Sequence, residues 1–448
     1  MPDRPRVMSL DERALIEHVT RQRWYRAKSR VVAHAQVLDS VVVTTGEPRL
    51  ALALVEMRCE SGATDLYQLL YALRGDELEI DDDVVLAREL VRALYTGATL
   101  HGADGMVEFH AVAGLRGDPA ELRRVGTEQS NTSVVLDDDA ILKVFRRLEP
   151  GVNPELEMLR FLTGHGFASS PPLRGWYGYA GGSLVATLGI LQTFVRGGLD
   201  GWDLALDEIV AAPDRFLARL HRLGEVTGEL HSVLASDESD PAFSVEAPSV
   251  ETLGLLTATV EEEIERVFLE LPEENEALAP IAGRGEDVRE QLRMQSHGGP
   301  AGKIIRIHGD YHLGQTMWAG DDWVILDFEG EPLRTFAERR RKRSPLRDVA
   351  GMLRSFAYAA SAASLLRAAE VPDDWEAKAR AQFLDGYFGA VDPSLLPPGA
   401  AAAERLLAVF ELEKAVYELR YELDNRPEWV RIPVAGILRL IEQPAAAS

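Results

Sequence analysis

Cysteine is almost absent from this sequence, since Cys59 is the only one among 448 residues. A single cysteine excludes an intrachain disulfide and any metal site built from several thiolates. The opening stretch MPDRPRVMSLDERALIEHV contains no apolar core of the length found in signal peptides. No run of about 18 uncharged apolar residues is present, so no membrane span is predicted. The cytoplasm is therefore the expected location.

Positive charge is also scarce, with 48 basic against 72 acidic residues and a formal net charge of −24. Such a surface repels phosphate backbones, so nucleic acid is not an expected partner. Any nucleotide that binds here must be screened locally, by a metal ion or by a few well-placed cations. A chain of this length exceeds one compact core, and about two or three domains are expected.

The pattern of apolar residues changes twice along the chain. Residues 1–90 begin with a short helix, Leu10–Arg21, and continue with the strand-like runs VVAHAQVLDSVVVTT, LALALVEMRCE and DLYQLLYAL, which predict an N-terminal cap subdomain. Residues 91–200 mix helices and strands and are predicted to complete an N-terminal lobe. Residues 201–448 are mainly helical. This order predicts an α+β protein with a ligand site between a strand-containing lobe and a helical lobe.

The stretch RIHGDYHLGQTMWAGDDWVILDFEGEP, residues 306–332, carries most of the candidate chemistry. Asp310 follows an extended segment, Gln315 comes five residues later, and Asp327 follows the second strand of a predicted hairpin. This spacing matches the kinase scheme H-x-D-x-x-x-x-N followed by D-F-x. The alternative to a kinase site is a solvated acidic hairpin without a catalytic role, but such a hairpin rarely combines all of these residue types.

Each residue of this set has a chemical role in phosphoryl transfer. Asp310 is predicted to accept the proton of the attacking hydroxyl, while Gln315 and Asp327 are predicted to bind Mg²⁺, which prefers oxygen ligands. Glutamine replaces the usual asparagine, which weakens the prediction of a second metal contact. His312 either reaches sugar hydroxyls or makes a structural hydrogen bond.

A phosphate-handling half is predicted upstream. Lys143 lies on the returning strand of a hairpin, on the same face as Ile141 and Phe145, where an ammonium group needs an anionic partner. Glu155 and Glu157 of the next helix are candidate partners, and Glu157 is preferred. The loop before the hairpin is predicted to bind phosphate, although it is poor in glycine. The alternative is an ordinary polar turn. Its predicted phosphate contacts are Gln129, Ser130, Asn131, Thr132 and Ser133.

Two further segments are candidate ligand contacts. The segment LQTFVRGGLDGW is predicted to be an adenine-binding hinge, with a simple linker as the alternative, and its candidates are Gln192, Phe194 and Val195. A late helix has an apolar stripe, and its opposite side is predicted to contact a sugar; a surface helix with internal ion pairs is the alternative. That side carries Lys414, Tyr417, Glu418, Tyr421 and Asn425.

The segment RRRKRSPLRDVAGMLRSF, residues 339–356, places a run of basic residues in an acidic protein. No aromatic residues interleave this run, so a solvated or salt-bridged segment is predicted rather than a nucleic-acid site. Asp348 is predicted to start a helix and to support the loop of Asp310 from beneath.

Several of these motifs together closely resemble the bacterial maltokinases. The matching segments are QRWYRAKSR, EQSNTS, LKVFRRLEPGVNPELE, HGDYHLGQ, DFEGEP, SPLRDVAGMLRSF and EKAVYELRYELDNRPEW, which together span nearly the whole chain. Single motifs are shared with aminoglycoside phosphotransferases. The resemblance implies a bilobal, protein-kinase-like fold with an extra N-terminal cap. It also implies ATP and Mg²⁺ as cofactors, with Asp310 as the base, Gln315 and Asp327 as metal ligands and Lys143 on the phosphates.

The reaction implied by the resemblance is phosphorylation of maltose at its anomeric hydroxyl, giving maltose 1-phosphate for α-1,4-glucan (glycogen) synthesis. Because the maltose in this family can come from trehalose, a trehalose-converting enzyme is an implied partner. Two alternatives remain open at this stage. One is a related kinase for an amino sugar such as glucosamine, or for an aminoglycoside. The other is a non-enzymatic nucleotide-binding protein, which the glutamine at position 315 would suit.

Overall fold

The structure is a computed structural model that describes residues 11–22, 24–25, 30–46, 49–74, 77–79, 83–112, 118–126, 131–182, 184–272, 274–296, 301–332, 334–367 and 369–442. The chain forms two compact units, Met1–Arg196 and Gly197–Ser448, which we call the N-terminal unit and the C-terminal unit. The separate cap within the first of these, ending at residue 90, stays a prediction.

The N-terminal unit is mostly strand, as its β-branched and alternating sequence predicts. Its described helices are α1 (Glu12–Arg21), α2 (Asp83–Thr96) and α3 (Pro154–Gly164). Its described strands are β1 (Val32–Thr44), β2 (Arg49–Cys59), β3 (Thr64–Arg74), β4 (Glu77–Glu79), β5 (Thr99–His101), β6 (Gly105–Ala111), β7 (Leu122–Arg124), β8 (Asn131–Leu136), β9 (Ala140–Phe145), β10 (Arg147–Leu148), β11 (Leu173–Gly181) and β12 (Leu184–Thr193).

These strands form two antiparallel sheets. The first has the order β1-β2-β3-β10, with β4 also paired to β3, and the second has the order β5-β6-β11-β12-β9-β8-β7. The buried Gln68 joins them, because its side-chain amide donates to the backbone oxygens of Phe145 (2.9 Å) and Leu188 (2.7 Å). These two bonds tie the first sheet to β9, which carries Lys143, and to its neighbour β12.

The hairpin β8–β9 and helix α3 form where the sequence predicts them. Asp137 and Asp138 adopt φ angles of 51° and 49° at the turn, a left-handed conformation that aspartate tolerates better than most residues. At the start of α3 the Asn153 side chain accepts a hydrogen bond from the backbone N–H of Glu155, with Pro154 in the first turn. Local sequence therefore fixes the two elements that carry Lys143 and its partner.

The C-terminal unit is mainly helical. Its described helices are α4 (Gly201–Ala211), α5 (Pro213–Leu234), α6 (Val250–Leu269), α7 (Gly285–Ser296), α8 (Phe336–Arg339), α9 (Leu346–Arg367), α10 (Trp375–Ala390), α11 (Ala400–Asn425) and α12 (Arg431–Glu442). A small antiparallel sheet consists of β13 (Leu199–Asp200), β14 (Thr316–Ala319) and β15 (Asp322–Ile325). Helices α4 and α5 are separate elements, because Pro213 has no N–H to continue the helical hydrogen bonds of α4.

Helix α9 lies in the core of the C-terminal unit and packs against α4, α10, α11 and α12. In the part of the chain that the structure describes, it is the one helix long and apolar enough to cross a membrane by length and composition. Of its most apolar window, 61% is buried inside the protein, and a core helix meets the same two criteria. Its N-terminal turn holds Asp348, which reaches the loop of Asp310.

Candidate active site

The loop that carries Asp310 follows an extended segment. In this segment Ile304 forms an isolated β-bridge with Glu246, and Ile305 forms one with Arg343. Gly309 has a φ of 85°, a conformation that suits glycine and turns the chain just before Asp310. The side chain of Asp310 is half-buried and lines a cavity of about 120 Å³ in the C-terminal unit. The candidate base therefore stands at a site that a small molecule can enter.

Asp348 supports this loop from beneath, which confirms the prediction from sequence. Its carboxylate accepts hydrogen bonds from the backbone N–H groups of His308 (2.8 Å) and Gly309 (2.9 Å). It also accepts from Nε2 of the fully buried His231 (3.2 Å), whose Nδ1 lies 3.1 Å from the hydroxyl oxygen of Tyr387. An ionised carboxylate can only accept, so Nε2 of His231 is protonated in this network.

The electrostatics of Asp348 favour its ionised form. Burial by itself would raise the pKa of this carboxyl, but the hydrogen bond and charge of His231 and the backbone donor Gly309 outweigh burial. The pKa of Asp348 therefore lies below its ordinary value.

Helix α9 packs closely against the loop of Asp310 at Gly351. A Cβ on Gly351 would lie 2.7 Å from the backbone oxygen of Tyr311, which is too close for any residue but glycine. Glycine at this position lets α9 pack directly on the loop.

The candidate metal ligands Gln315 and Asp327 lie side by side. The hairpin β14–β15 that the sequence predicts separates them along the chain, and the backbone N–H of Leu326 donates to the carbonyl of Gln315 (2.9 Å). The Nε2 of Gln315 donates to Oδ2 of Asp327 (3.2 Å). Asp327 has a φ of 58°, and strained backbone of this kind clusters at functional sites.

His312 makes a structural hydrogen bond, one of its two predicted alternatives. Its Nδ1 accepts from the backbone N–H of Gly314 (3.1 Å) at the start of a short turn. Burial lowers the pKa of the imidazole, and the nearby charges of Lys414 and His308 lower it further, although Asp310 acts in the opposite direction. The lowered pKa favours a neutral imidazole beside Asp310.

The late helix, α11, contributes only part of its predicted sugar face. Lys414 and Tyr417 line the cavity together with Asp310, and the Lys414 ammonium lies 5.2 Å from the centre of the Tyr417 ring. Tyr421 is 43% exposed, and Asn425 donates its side-chain amide to the carbonyl of Tyr421 (2.8 Å) at the end of the helix. Neither of these two belongs to the cavity wall, so their sugar contacts stay predictions.

The prediction that Glu418 contacts a sugar is wrong. This carboxylate is buried and accepts from Nε (2.9 Å) and Nη2 (2.8 Å) of Arg354 in α9. The reason is that α11 packs against α6, α7, α9 and α12, so several of its faces are buried. An apolar stripe alone does not show which polar residue on such a helix faces a neighbour.

Sequence reasoning missed most of the cations in the cavity wall. They come from the basic run that was predicted to be solvated or salt-bridged, and from the segment before it. The lining residues of this kind are Arg334, Arg339, Arg341, Arg343 and Arg347, with Glu331, Glu338 and Glu413 as nearby acids. Part of the prediction holds, because Arg347 binds both carboxylate oxygens of Glu413 (2.9 and 2.7 Å). The signal was a cluster of arginines in an acidic chain, close in sequence to the loop of Asp310.

The N-terminal unit holds Lys143 in the middle of its larger sheet. Lys143 is paired across the ladders with Ser133 of β8 and Ile190 of β12, so the three side chains share one face. Its ammonium lies 2.9 Å from Oε2 of Glu155, and both side chains are largely buried. The preference for Glu157 as the partner is therefore wrong. Glu155 precedes the buried Leu159 and Leu162 by four and seven residues and shares their face of α3.

The remaining phosphate and hinge candidates have different outcomes. Thr132 lies on the opposite face of β8 from Ser133, and its hydroxyl accepts from Nε of Arg146 (2.8 Å), so its predicted phosphate contact is wrong. Asn131 begins the same strand, while Gln129 and Ser130 lie outside the described residues. In the hinge segment Gln192 pairs with Ile141, and the backbone N–H of Phe194 donates to the backbone carbonyl of Asp139 (3.0 Å). The adenine contacts of Gln192, Phe194 and Val195 stay predictions.

The two glutamates of α3 give a matched test of the Lys143 pair. We expect Glu155→Gln to lower kcat/KM for ATP by about tenfold or more, because a buried charge pair loses one partner and the ammonium is no longer held in place. Glu157→Gln, two residues away, should stay within about twofold of the parent, since it leaves the pair of Lys143 and Glu155 intact. Steady-state kinetics with varied ATP measures both. Equal effects of the two substitutions would contradict the assignment of Glu155.

Comparison with known proteins decides the family. The profile of the phosphotransferase enzyme family matches residues 121–390, which is more than half of the chain. The chain belongs to this family. A second profile, the maltokinase N-terminal cap domain, matches residues 18–99 of this phosphotransferase. The resemblance to kinase-like maltokinases is therefore confirmed, and so is the α+β, bilobal kinase-like fold with an N-terminal cap.

Individual relatives of this phosphotransferase are glucosamine kinases. The glucosamine kinase of Streptacidiphilus jiangxiensis is 28% identical over 373 residues, covering 80% of this chain and 81% of that protein. The glucosamine kinase of Mycolicibacterium smegmatis is 28% identical over 370 residues, covering 78% and 85%.

A solved glucosamine kinase in complex with glucosamine, ADP and inorganic phosphate matches this chain with a TM-score of 0.70 and 24% identity, covering 92% of this chain and 94% of that one. Another crystal form, with a TM-score of 0.73 and 22% identity, covers 95% and 99%. At such identities the structures show the fold alone. The family assignment, together with the glucosamine kinase relatives, supports an ATP-dependent kinase.

Proposed function

We propose that this phosphotransferase is a maltokinase, which transfers the γ-phosphate of ATP to the anomeric hydroxyl of maltose and forms maltose 1-phosphate. The observation that carries the proposal is the cavity in the C-terminal unit, which is lined by Asp310 together with Lys414 and Tyr417 of α11. An aromatic face and a cationic donor are suited to the C–H surface and the hydroxyls of a neutral sugar. The match of residues 18–99 to the maltokinase cap supports the same reading.

Asp310 is the proposed base of the reaction. Its carboxylate accepts the proton of the anomeric hydroxyl as the O–P bond forms, and the bond between the γ-phosphorus and the bridging oxygen of ADP breaks. The bonds from His308 and Gly309 to Asp348 fix the backbone directly before Asp310. Catalysis of this type depends on positioning, so a rigid loop contributes directly to the rate.

The remaining proposed roles concern the nucleotide. Lys143, held by Glu155 at 2.9 Å, contacts the phosphates of ATP. Gln315 and Asp327 offer an amide and a carboxylate, and these oxygen donors fit Mg²⁺. When bound, Mg²⁺ neutralises phosphate charge, which matters in a chain with a net charge of −24.

A kinase for an amino sugar is the second candidate, and the names of the relatives favour it. The cavity gives it less support. Glu418, the carboxylate that would have suited a cationic acceptor, is bound to Arg354 instead. The charged side chains of the cavity wall are Arg334, Arg339, Arg341, Arg343, Arg347 and Lys414 against Asp310, Glu331, Glu338, Asp348 and Glu413. Because this wall has six cationic and five acidic side chains, it does not favour the binding of a protonated amine.

An acceptor comparison separates the two candidates. We expect kcat/KM for maltose to exceed that for glucosamine by about tenfold or more, because a site that hydrogen-bonds the substrate's groups penalises an analogue that leaves them unpaired. The measurement is ADP release with Mg-ATP and each sugar, together with the mass of the phosphorylated product. A higher kcat/KM for glucosamine would replace the first candidate by the second.

The proposed product also places this kinase in a wider context. A sugar activated at its anomeric carbon is a suitable donor for α-1,4-glucan (glycogen) synthesis, and a trehalose-converting enzyme is the proposed source of maltose and a proposed partner. The cytoplasm is the proposed location, because ATP and these sugars meet there.

A further inference from the structure

A second cavity, of about 200 Å³, lies in the C-terminal unit next to the one that contains Asp310. The two share Arg341, Arg343, Arg347 and Phe410 in their walls. The second cavity is otherwise mostly apolar on one side, where Leu256, Ile304 and Leu406 lie. We call it the rear cavity and the first one the acceptor cavity.

Arg343 is the unusual residue of the shared wall. Arg343 is half-buried, and its backbone is hydrogen-bonded to the backbone of Ile305. Among the residues that the structure describes, no carboxylate lies within ion-pair distance of its guanidinium group. Burial lowers the pKa of Arg343, and the charges of Arg347 and Arg334 lower it further, although the charges of Glu413 and Glu331 act in the opposite direction. A cation that is partly desolvated beside other cations is costly unless an anion joins it.

The nearby carboxylates are already engaged by other cations. Glu413 is bound through both oxygens by Arg347, and Glu331 accepts from Arg334 (3.2 Å). The exposed Arg341 lies two residues before Arg343 and also lines the shared wall. Among the described residues, the shared wall therefore presents two guanidinium groups with no carboxylate at ion-pair distance, in a protein whose net charge is −24.

Guanidinium pairs recognise phosphate groups through paired N–H···O bonds. We propose that Arg341 and Arg343 bind the phosphate group of a sugar phosphate, whose ring extends into the acceptor cavity toward Tyr417. The placement of the ring rests on the proposed function, whereas the anion site does not. Because this ligand fills the acceptor cavity, it excludes the acceptor sugar. A phosphorylated sugar is thus a competitive inhibitor that signals abundant activated sugar.

Direct binding tests the anion site without turnover. Glucose 6-phosphate is titrated calorimetrically into the full-length protein and into Arg343→Gln, Arg343→Lys and Arg431→Gln. We expect Arg343→Gln to weaken binding by about tenfold or more, because a charge-assisted hydrogen bond is lost. Arg343→Lys should recover part of the affinity, and the exposed Arg431, which lines neither cavity, should have no effect. Unchanged affinity in Arg343→Gln, or no binding to the parent protein, would overturn the proposal.

The position of the ring is tested separately with Tyr417→Ala. This change should weaken binding of glucose 6-phosphate by about fivefold or more, because an aromatic face is removed from the sugar, and should leave binding of inorganic phosphate unaltered. Equal loss for both ligands, or for neither, would overturn the placement of the ring. Neither titration needs an acceptor, so a failure of maltose as substrate in the kinetic assay is distinguishable from a failure of this inference.

Discussion

The Asp310→Asn variant should lose kcat by a factor of about 10³ or more, since it removes the group that accepts a proton in the transition state. Asparagine keeps the size of the side chain and cannot act as a base. The backbone should stay in place, because Asp348 holds His308 and Gly309 through main-chain atoms that the substitution leaves intact. The measurement is steady-state turnover of Mg-ATP with maltose, and KM should change far less than kcat.

The matched control for this variant is Asp321→Asn. Asp321 is exposed at the turn of the β14–β15 hairpin with a φ of 66°, which asparagine tolerates as well as aspartate. It removes the same charge from the same segment and should leave kcat within about twofold. An Asp310→Asn enzyme as fast as the parent would contradict the assignment of the base and would support the non-enzymatic nucleotide-binding alternative.

The second large effect is expected from Asp348→Ala, on stability and on turnover together. The substitution removes the acceptor of the backbone N–H groups of His308 and Gly309 and of the fully buried His231. Buried donors left without a partner, together with the cavity that forms, should lower the free energy of unfolding by about 3–5 kcal/mol. Urea denaturation measures this loss, and Asp373→Ala, at an exposed site, serves as the control.

Turnover of Asp348→Ala should also fall, by about tenfold or more at a temperature where the variant is fully folded, because the loop of Asp310 is no longer held. A variant that is less stable but has the parent's kcat would show that Asp348 does not position the loop.

The stability effect should depend on pH. Because the pKa of Asp348 in the folded protein lies below its unfolded value, ionised Asp348 contributes stability above the unfolded pKa of about 3.9. This contribution disappears as the pH falls through the lower, folded pKa. The stability difference between parent and Asp348→Ala should therefore be full at neutral pH and shrink in acid. A difference that grows in acid would show that Asp348 is not held as a carboxylate.

Much of the local structure was predictable from the sequence alone. The Asp137–Asp139 turn, the cap at Asn153, the β14–β15 hairpin and the first turn of α9, which holds Asp348, all depend on residues close together in the chain. Turn conformation, helix capping and strand alternation are local effects, so short segments specify them. The spacing of Asp310, Gln315 and Asp327 belongs to the same class, because one hairpin brings the last two together.

The sequence by itself thus determined the elements, the kinase-type motif and the support of the loop by Asp348. Only the tertiary structure decided which charged groups meet: Lys143 with Glu155 rather than Glu157, Glu418 with Arg354 rather than a sugar, and Arg343 with no carboxylate among the described residues. The physical reason is that a charged side chain can rotate toward any of several neighbours. Its partner is set by the packing of segments that lie far apart in the chain, and helix periodicity does not contain that information.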